Sequence, residues 1–85
     1  MTRRLIDLAG MKPGLTGVVA EIQGGLGFKS RLENLGIRQG VTITKVSAQF
    51  MRGPVTIRRG NTEIALGFGM ARKIIVEIKS KPGQE

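Results

Sequence analysis

The sequence contains no cysteine and no histidine. Without these residue types the chain has no disulfide, no thiolate or imidazole catalysis, and no zinc site built on Cys or His. The acidic residues are scattered along the chain, and no spacing among them suggests a pair of catalytic carboxylates or an oxygen-ligand loop. We therefore expect a protein that binds a partner and is not an enzyme, with no catalytic residue, cofactor, metal site or small-molecule substrate.

Long apolar runs are also missing from the sequence. No stretch approaches the roughly eighteen apolar residues that a helix needs to cross a bilayer. The lack of cysteine is compatible with a reducing compartment. The sequence therefore predicts a cytoplasmic protein.

Positive charge is abundant. Fourteen Lys and Arg stand against six Asp and Glu, which gives a formal net charge of +8. No acid occurs between Asn34 and Thr62, a stretch that includes several Lys and Arg residues. This imbalance predicts attraction to an acidic partner, although a solvated basic surface that only keeps the protein in solution is an alternative.

Thirteen glycines divide the chain into short segments, and most of these segments have the composition of β-strands. Val41 and Ile43 alternate with threonines, and beyond Lys45 the apolar phase shifts by one residue, which is typical of a β-bulge. The Gly60-Asn61 pair is typical of a tight hairpin.

One short helix is expected from about Ser30 to Leu35. Ser30 and Glu33 have the spacing of a capping box, in which each side chain accepts a hydrogen bond from the other residue's backbone N–H. Gly36 then provides a residue that ends a helix in the left-handed conformation. Together these segments predict a mostly β fold, a small partly open barrel of about five strands with one short helix. We expect residues 1–85 to form one domain, with residues 79–85 as a flexible tail.

The order of glycines and aliphatic residues resembles the ferrous iron transport protein A family. The motifs that carry the resemblance are Lys12-Pro13-Gly14, Leu35-Gly36-Ile37, Gly53-Pro54, Ile64-Ala65-Leu66-Gly67 and Met70-Ala71. Each motif is weak alone, but their order extends over most of the chain, from about Leu5 to Ile78.

This resemblance implies an SH3-like barrel and a role without catalysis. Members of the family are cytosolic accessory proteins of bacterial ferrous iron uptake. They are thought to act on a membrane transporter that carries a cytosolic G-protein domain. The resemblance thus implies that this chain binds the cytosolic part of a membrane ferrous iron transporter and modulates it. Exposed strand edges would also allow pairing with a second copy, so a homo-oligomer is a further expectation.

The residues themselves suggest a basic surface for a partner, formed by Arg52, Arg58 and Arg59. Arginine suits this role because its guanidinium group binds carboxylates through two hydrogen bonds. The alternative is a solvated strand edge on which positive charge prevents aggregation.

An apolar surface is the second candidate. Leu26 and Phe28 lie before the predicted helix, and Phe50 and Met51 lie at the end of the long strand. Phe and Met are enriched where proteins meet. The alternative is that these side chains cover the core of a small barrel.

Two other functions remain open. A basic SH3-like domain could bind nucleic acid, but the chain has no Tyr or Trp, and only its three Phe residues could stack on bases. The chain could also be a stand-alone regulatory domain like that of metal-dependent repressors, whose DNA-binding helical domain does not occur in this sequence.

Overall fold

The structure, a computed structural model, describes residues 4–48 and 53–79. Within these ranges the chain forms six strands, two helices and one 3₁₀ turn. The elements, in chain order, are β1 (Leu5–Asp7), the 3₁₀ turn (Leu8–Gly10), β2 (Thr16–Ile22), α1 (Leu26–Asn34), β3 (Thr42–Ala48), β4 (Val55–Arg59), β5 (Thr62–Leu66), α2 (Phe68–Ala71) and β6 (Ile74–Ile78).

All six strands belong to one antiparallel sheet with the order β1-β6-β2-β3-β4-β5. Among the described residues, β1 and β5 lie at its two ends and do not pair with each other, so the sheet is not closed. The prediction of a mostly β, partly open barrel is confirmed, although the sheet has six strands where about five were expected.

The additional strand is β1. It is three residues long and pairs with the carboxyl-terminal strand β6, with Leu5 opposite Glu77 and Asp7 opposite Ile75. A segment this short shows no apolar alternation, so only its long-range pairing identifies it as a strand.

Two register shifts bend the sheet. One lies in β3 between Lys45 and Ser47, where the sequence predicts a change of phase. The other lies in β2, between Val19 and Glu21, in its pairing with β6. Bulges of this kind increase local twist and let a small sheet curve around its core.

The predicted start of the helix is wrong. Helix α1 begins at Leu26, its N-cap is Gly25, and no side chain caps its first turn. Ser30 therefore lies inside the helix and forms no capping box. The glycines before Leu26 let the chain turn directly from β2 into the helix, and packing of Leu32 into the core holds it there.

The predicted end of the helix is correct. Gly36 has a φ of +85° and follows the C-cap residue Leu35. Leu35 itself is 39% exposed, whereas Ile37 is fully buried. The hairpin at Gly60-Asn61 is confirmed as well, because Arg59 pairs with Thr62.

The core is built from the 3₁₀ turn, both helices, the loops next to them and five of the six strands. Its buried apolar residues are Leu8, Met11, Val19, Ile22, Leu32, Ile37, Ile43, Val55, Ile57, Leu66, Ala71, Ile74 and Val76. The alternate residues of β4 and β6 that point inward are those that the period-two pattern predicts.

Candidate docking surface

Lys45 is a buried cation on β3, with only 2% of its surface exposed. Its Nζ donates hydrogen bonds to the backbone carbonyls of Leu8 and Ala9, at 3.1 and 3.0 Å, and to that of Met11. Burial lowers the pKa of the Lys45 ammonium group from its ordinary value of 10.5, and the negative charge of Asp7 opposes this shift. Lys45 thus fastens the segment around the 3₁₀ turn to the sheet and is not available to a partner.

The sequence contains a signal for this burial. Val41, Ile43 and Lys45 are alternate residues, so Lys45 points to the same inward side of the strand as the other two. The bulge that shifts this alternation follows directly after Lys45. A lysine at an inward position is rarely buried unless its ammonium group finds acceptors. The acceptors lie 34 to 37 positions earlier in the chain, so the sequence pattern does not show them.

Arg58 is an exposed cation on β4. Its Nη2 lies 2.9 Å from Oε2 of Glu63 on the neighbouring strand β5, and both side chains are about half exposed. An exposed pair of this kind contributes about 0–1 kcal/mol to stability. The guanidinium group is therefore only loosely held and can exchange Glu63 for a carboxylate of a partner.

Arg59, the next residue, points to the opposite side of β4 and is half-buried. A Cβ atom placed on Gly36 would lie 2.5 Å from Nε of Arg59, so the guanidinium group lies against the backbone after α1. The Nε atom is buried and has no hydrogen-bond partner among the described residues. The structure therefore does not bring Arg58 and Arg59 together on one surface.

The two apolar candidates of α1 also differ in their surroundings. Leu26 is 82% exposed and does not cover the core. Phe28 is half-buried against the core, and Nζ of Lys73 lies 5.2 Å from the centroid of its ring. This distance is within the range of a cation–π interaction.

A small depression of about 160 Å³ lies between α1 and the adjoining end of β2, and it is lined by both signs of charge. Its lining residues are Glu21, Ile22, Lys29, Glu33, Arg38 and Gln39. Gln39 is held in place because its Nε2 donates to the carbonyl of Ala20 at 2.8 Å.

The remaining predicted docking residues, Phe50, Met51 and Arg52, lie outside the described residues. In the part of the chain that the structure describes, Asp and Glu side chains do not gather into a group of three or more that could hold a metal ion. No helix within residues 4–48 and 53–79 is long and apolar enough to cross a membrane.

The model of the FeoA domain family matches residues 6–78, which include the whole of β2 to β6 and all of β1 except Leu5. The chain belongs to the FeoA domain family. The resemblance found in the sequence is confirmed, and the FeoA family is associated with the transport of Fe²⁺.

Relatives of this FeoA domain agree with the assignment. One relative is a Methanocaldococcus jannaschii protein provisionally named Fe(2+) transport protein A, to which this chain is 39% identical over 73 residues. The match covers 86% of this chain and 87% of that protein. The crystal structure of an iron uptake regulatory protein, FeoA, is 30% identical, with a TM-score of 0.81, 89% of this chain covered and 99% of the other.

The fold of this FeoA domain also occurs inside larger proteins. A manganese-dependent transcriptional repressor gives a TM-score of 0.83 at 20% identity, with 93% of this chain covered but only 44% of the repressor. At this identity the likeness shows a shared fold alone.

Sequence reasoning missed two cations of this FeoA domain that the fold brings close to α1. Arg72 and Lys73 are exposed and lie between α2 and β6. The signal for them was weak, because they belong to a short turn, and Lys73 reaches Phe28 only through the tertiary fold.

Proposed function

We propose that this FeoA domain is a cytoplasmic accessory protein of ferrous iron uptake, which binds the cytosolic part of a membrane ferrous iron transporter and modulates it without catalysis. The observation that carries this proposal is the family match over residues 6–78, together with the near full-length relative named for Fe²⁺ transport. The partner supplies the pore and the nucleotide chemistry, for which this chain has no motif.

The distribution of charge supports a partner with an acidic surface. The net charge is +8, and Arg58 holds its single carboxylate partner only at the surface. A complementary acidic face would speed association and orient the two proteins, while apolar contacts would provide most of the affinity.

The test is a titration of the full chain against the purified cytosolic part of its cognate transporter, at low and at physiological salt. Random duplex DNA and structured RNA are titrated in parallel. We expect saturable binding to the transporter that persists at physiological salt, and binding to nucleic acid that falls steeply as salt rises. Binding to nucleic acid alone would leave the family assignment as a statement about fold and overturn the proposed partner.

Variants then locate the contact. Arg58→Glu reverses one exposed charge and should slow association, with Lys12→Glu as a matched control because Lys12 is also exposed and carries the same charge.

Sedimentation of the chain alone determines whether it associates with itself, which would change the stoichiometry of the titration.

A further inference from the structure

The first turn of α1 lies beside the connection between α2 and β6. The backbone N–H of Gln23 donates to the carbonyl of Lys73 at 2.8 Å, and Lys73 Nζ lies 5.2 Å from the centre of the Phe28 ring. These contacts place Leu26, which begins α1, at the same end of the molecule as Lys73. We call the surface formed by Leu26, Lys29, Arg72 and Lys73 the α1 tip.

Leu26 is the apolar anchor of the α1 tip. It is 82% exposed, whereas the other exposed large apolar side chains in the described part, Leu5, Ile6 and Leu35, are between 37 and 53% exposed. Gly25 and Gly27 flank it without side chains, and a Cβ added to either would meet nothing within 4 Å. The Leu26 side chain therefore has no neighbouring side chains at positions 25 and 27, and it can insert into an apolar environment without steric hindrance from them.

Positive charge surrounds this anchor. The segments 22–32 and 64–76, which include most of α1, all of α2 and the turn before β6, contain no Asp or Glu, although Glu21 and Glu33 lie next to the first segment. Arg72 and Lys73 are exposed, and neither forms an ion pair in the part of the chain that the structure describes. Lys29 is partly balanced because it shares its depression with Glu21 and Glu33.

An open depression of about 590 Å³ lies at the same end of the molecule. Its lining combines two cations, one amide and three small or apolar positions, namely Arg72, Lys73, Gln23, Gly67, Gly69 and Met70. Guanidinium, ammonium and amide groups are the donors that bind phosphate oxygens. The depression is open enough to admit a phosphodiester headgroup from outside.

We propose that the α1 tip docks on an anionic lipid surface, with Leu26 inserted below the headgroups and Arg72, Lys73 and Lys29 among the phosphates. Burial of apolar side chains and attraction of cations to anionic lipid are the two contributions to interfacial lipid binding, and the α1 tip offers both. The core of a protein interface is instead enriched in aromatic residues and depleted of lysine. This inference does not depend on the proposed contact with the transporter.

The expected affinity is low. A single myristoyl chain gives an association constant of only about 10⁴ M⁻¹, and one leucine with three cations should not exceed it. The α1 tip thus holds the chain reversibly at a membrane surface, and a second contact is needed for stable attachment.

The chain contains no Trp and no Tyr, so Leu26→Trp introduces a unique fluorescent reporter at the α1 tip. The variant is titrated with vesicles of phosphatidylcholine alone and of phosphatidylcholine mixed with phosphatidylglycerol. We expect a blue shift of the Trp emission only with the anionic vesicles, and less of it at high salt. Leu5→Trp on β1 is the matched control, and its emission should not change.

A pair of charge variants tests the cations. Arg72→Gln combined with Lys73→Gln should lower vesicle partitioning of the otherwise unchanged chain by about tenfold or more in a sedimentation assay. Lys12→Gln combined with Arg58→Gln removes the same net charge elsewhere and should change partitioning by less than about twofold.

Three results would overturn the inference. The first is an unchanged Trp emission at position 26 with anionic vesicles. The second is an equal loss of partitioning in both charge pairs, which would show that only net charge matters. The third is a blue shift caused by the soluble part of the transporter but not by vesicles, which would make the α1 tip a protein-binding surface.

Discussion

At the scale of single residues, Lys45 connects the sheet to the chain segment that precedes β2. Its ammonium group reaches three backbone carbonyls of Leu8, Ala9 and Met11. Buried carbonyls need a donor, and a buried ammonium needs acceptors, so each satisfies the other. The charge of Asp7 next to this segment further favours the ammonium form.

Lys45→Met should lower the free energy of unfolding by about 2–4 kcal/mol, because it removes the ammonium donor from three carbonyls while keeping a side chain of similar length. Of the three, the carbonyl of Leu8 still accepts from the N–H of Met11. Urea unfolding followed by circular dichroism measures the change. Lys12→Met, at an exposed lysine, is the control and should stay within about 0.5 kcal/mol of the parent. Equal stability of the two variants would contradict a structural role for Lys45.

The pH dependence of stability provides a second test of Lys45. Burial lowers the pKa of its ammonium group in the folded state, whereas the unfolded lysine titrates near 10.5. Between the folded and the unfolded pKa the unfolded chain binds more protons, so the free energy of unfolding should rise with pH in that interval. The rise should be present in the parent chain and absent in Lys45→Met. A fall with pH in the same interval would show that the carbonyls stabilise the ammonium group more than burial destabilises it.

Gly36 combines two constraints at one position. Its φ of +85° disfavours any residue with a Cβ, and the place of that Cβ is taken by the guanidinium group of Arg59. Gly36→Ala should therefore cost about 2 kcal/mol or more in urea unfolding.

A double-mutant cycle separates these two constraints. In an Arg59→Ala background the collision is removed and only the backbone strain remains, so Gly36→Ala should cost about 1–2 kcal/mol there. Additive effects of the two substitutions would show that Arg59 does not lie against Gly36.

At the scale of elements, helix α1 illustrates how tertiary packing overrides a local signal. The Ser30 and Glu33 pair has the spacing of a capping box, yet the helix begins four residues earlier, at Leu26. Phe28 and Leu32 lie one turn apart and pack on the core, which extends the helix toward its N-terminus.

Gly25→Ser should stabilise the protein by about 0.5–1 kcal/mol. Gly25 has the extended backbone of an N-cap, and a Cβ there meets nothing within 4 Å, so serine can cap the first turn without strain. Thermal unfolding measures the gain. Ser30→Ala should be neutral or slightly stabilising, because Ser30 lies within the helix. Destabilisation by about 1 kcal/mol would instead support the capping box.

At the scale of the whole molecule, the excess of positive charge is unevenly distributed. Lys45 is buried, Arg58 is paired with Glu63, and Arg59 lies against the backbone. Arg72 and Lys73, between α2 and β6, are exposed, and Lys73 lies over the ring of Phe28 in α1. The α1 tip therefore combines the most exposed large apolar side chain of the described residues with two cations that form no ion pair there.

Added monovalent salt should raise the free energy of unfolding, by about 1 kcal/mol or less. Like charges repel one another more in the folded chain, and salt at about 0.1 M screens them beyond roughly 10 Å. Urea unfolding at several salt concentrations measures the slope. The variant with Lys12→Gln and Arg58→Gln has two fewer positive charges, so its free energy of unfolding should rise less steeply with salt. The same slope in the variant and the parent would indicate that charge repulsion does not affect stability.

Features that depend on neighbouring residues could be predicted from the amino-acid sequence. The strands around Ile43, Ile57 and Val76, the hairpin at Gly60, and the end of α1 at Gly36 follow from period-two alternation and from turn chemistry, which act over a few residues. The order of these local motifs also predicted the family.

Which side chains share a surface depends on how distant segments of the chain pack together. Burial of Lys45 depends on carbonyls more than thirty positions away, and strand β1 exists only through its pairing with β6. The sequence predicts Arg58 and Arg59 on one basic surface, but the structure separates them and places Arg59 against Gly36. Such contacts join segments that are distant in the chain, and a local pattern contains no information about which distant segments meet.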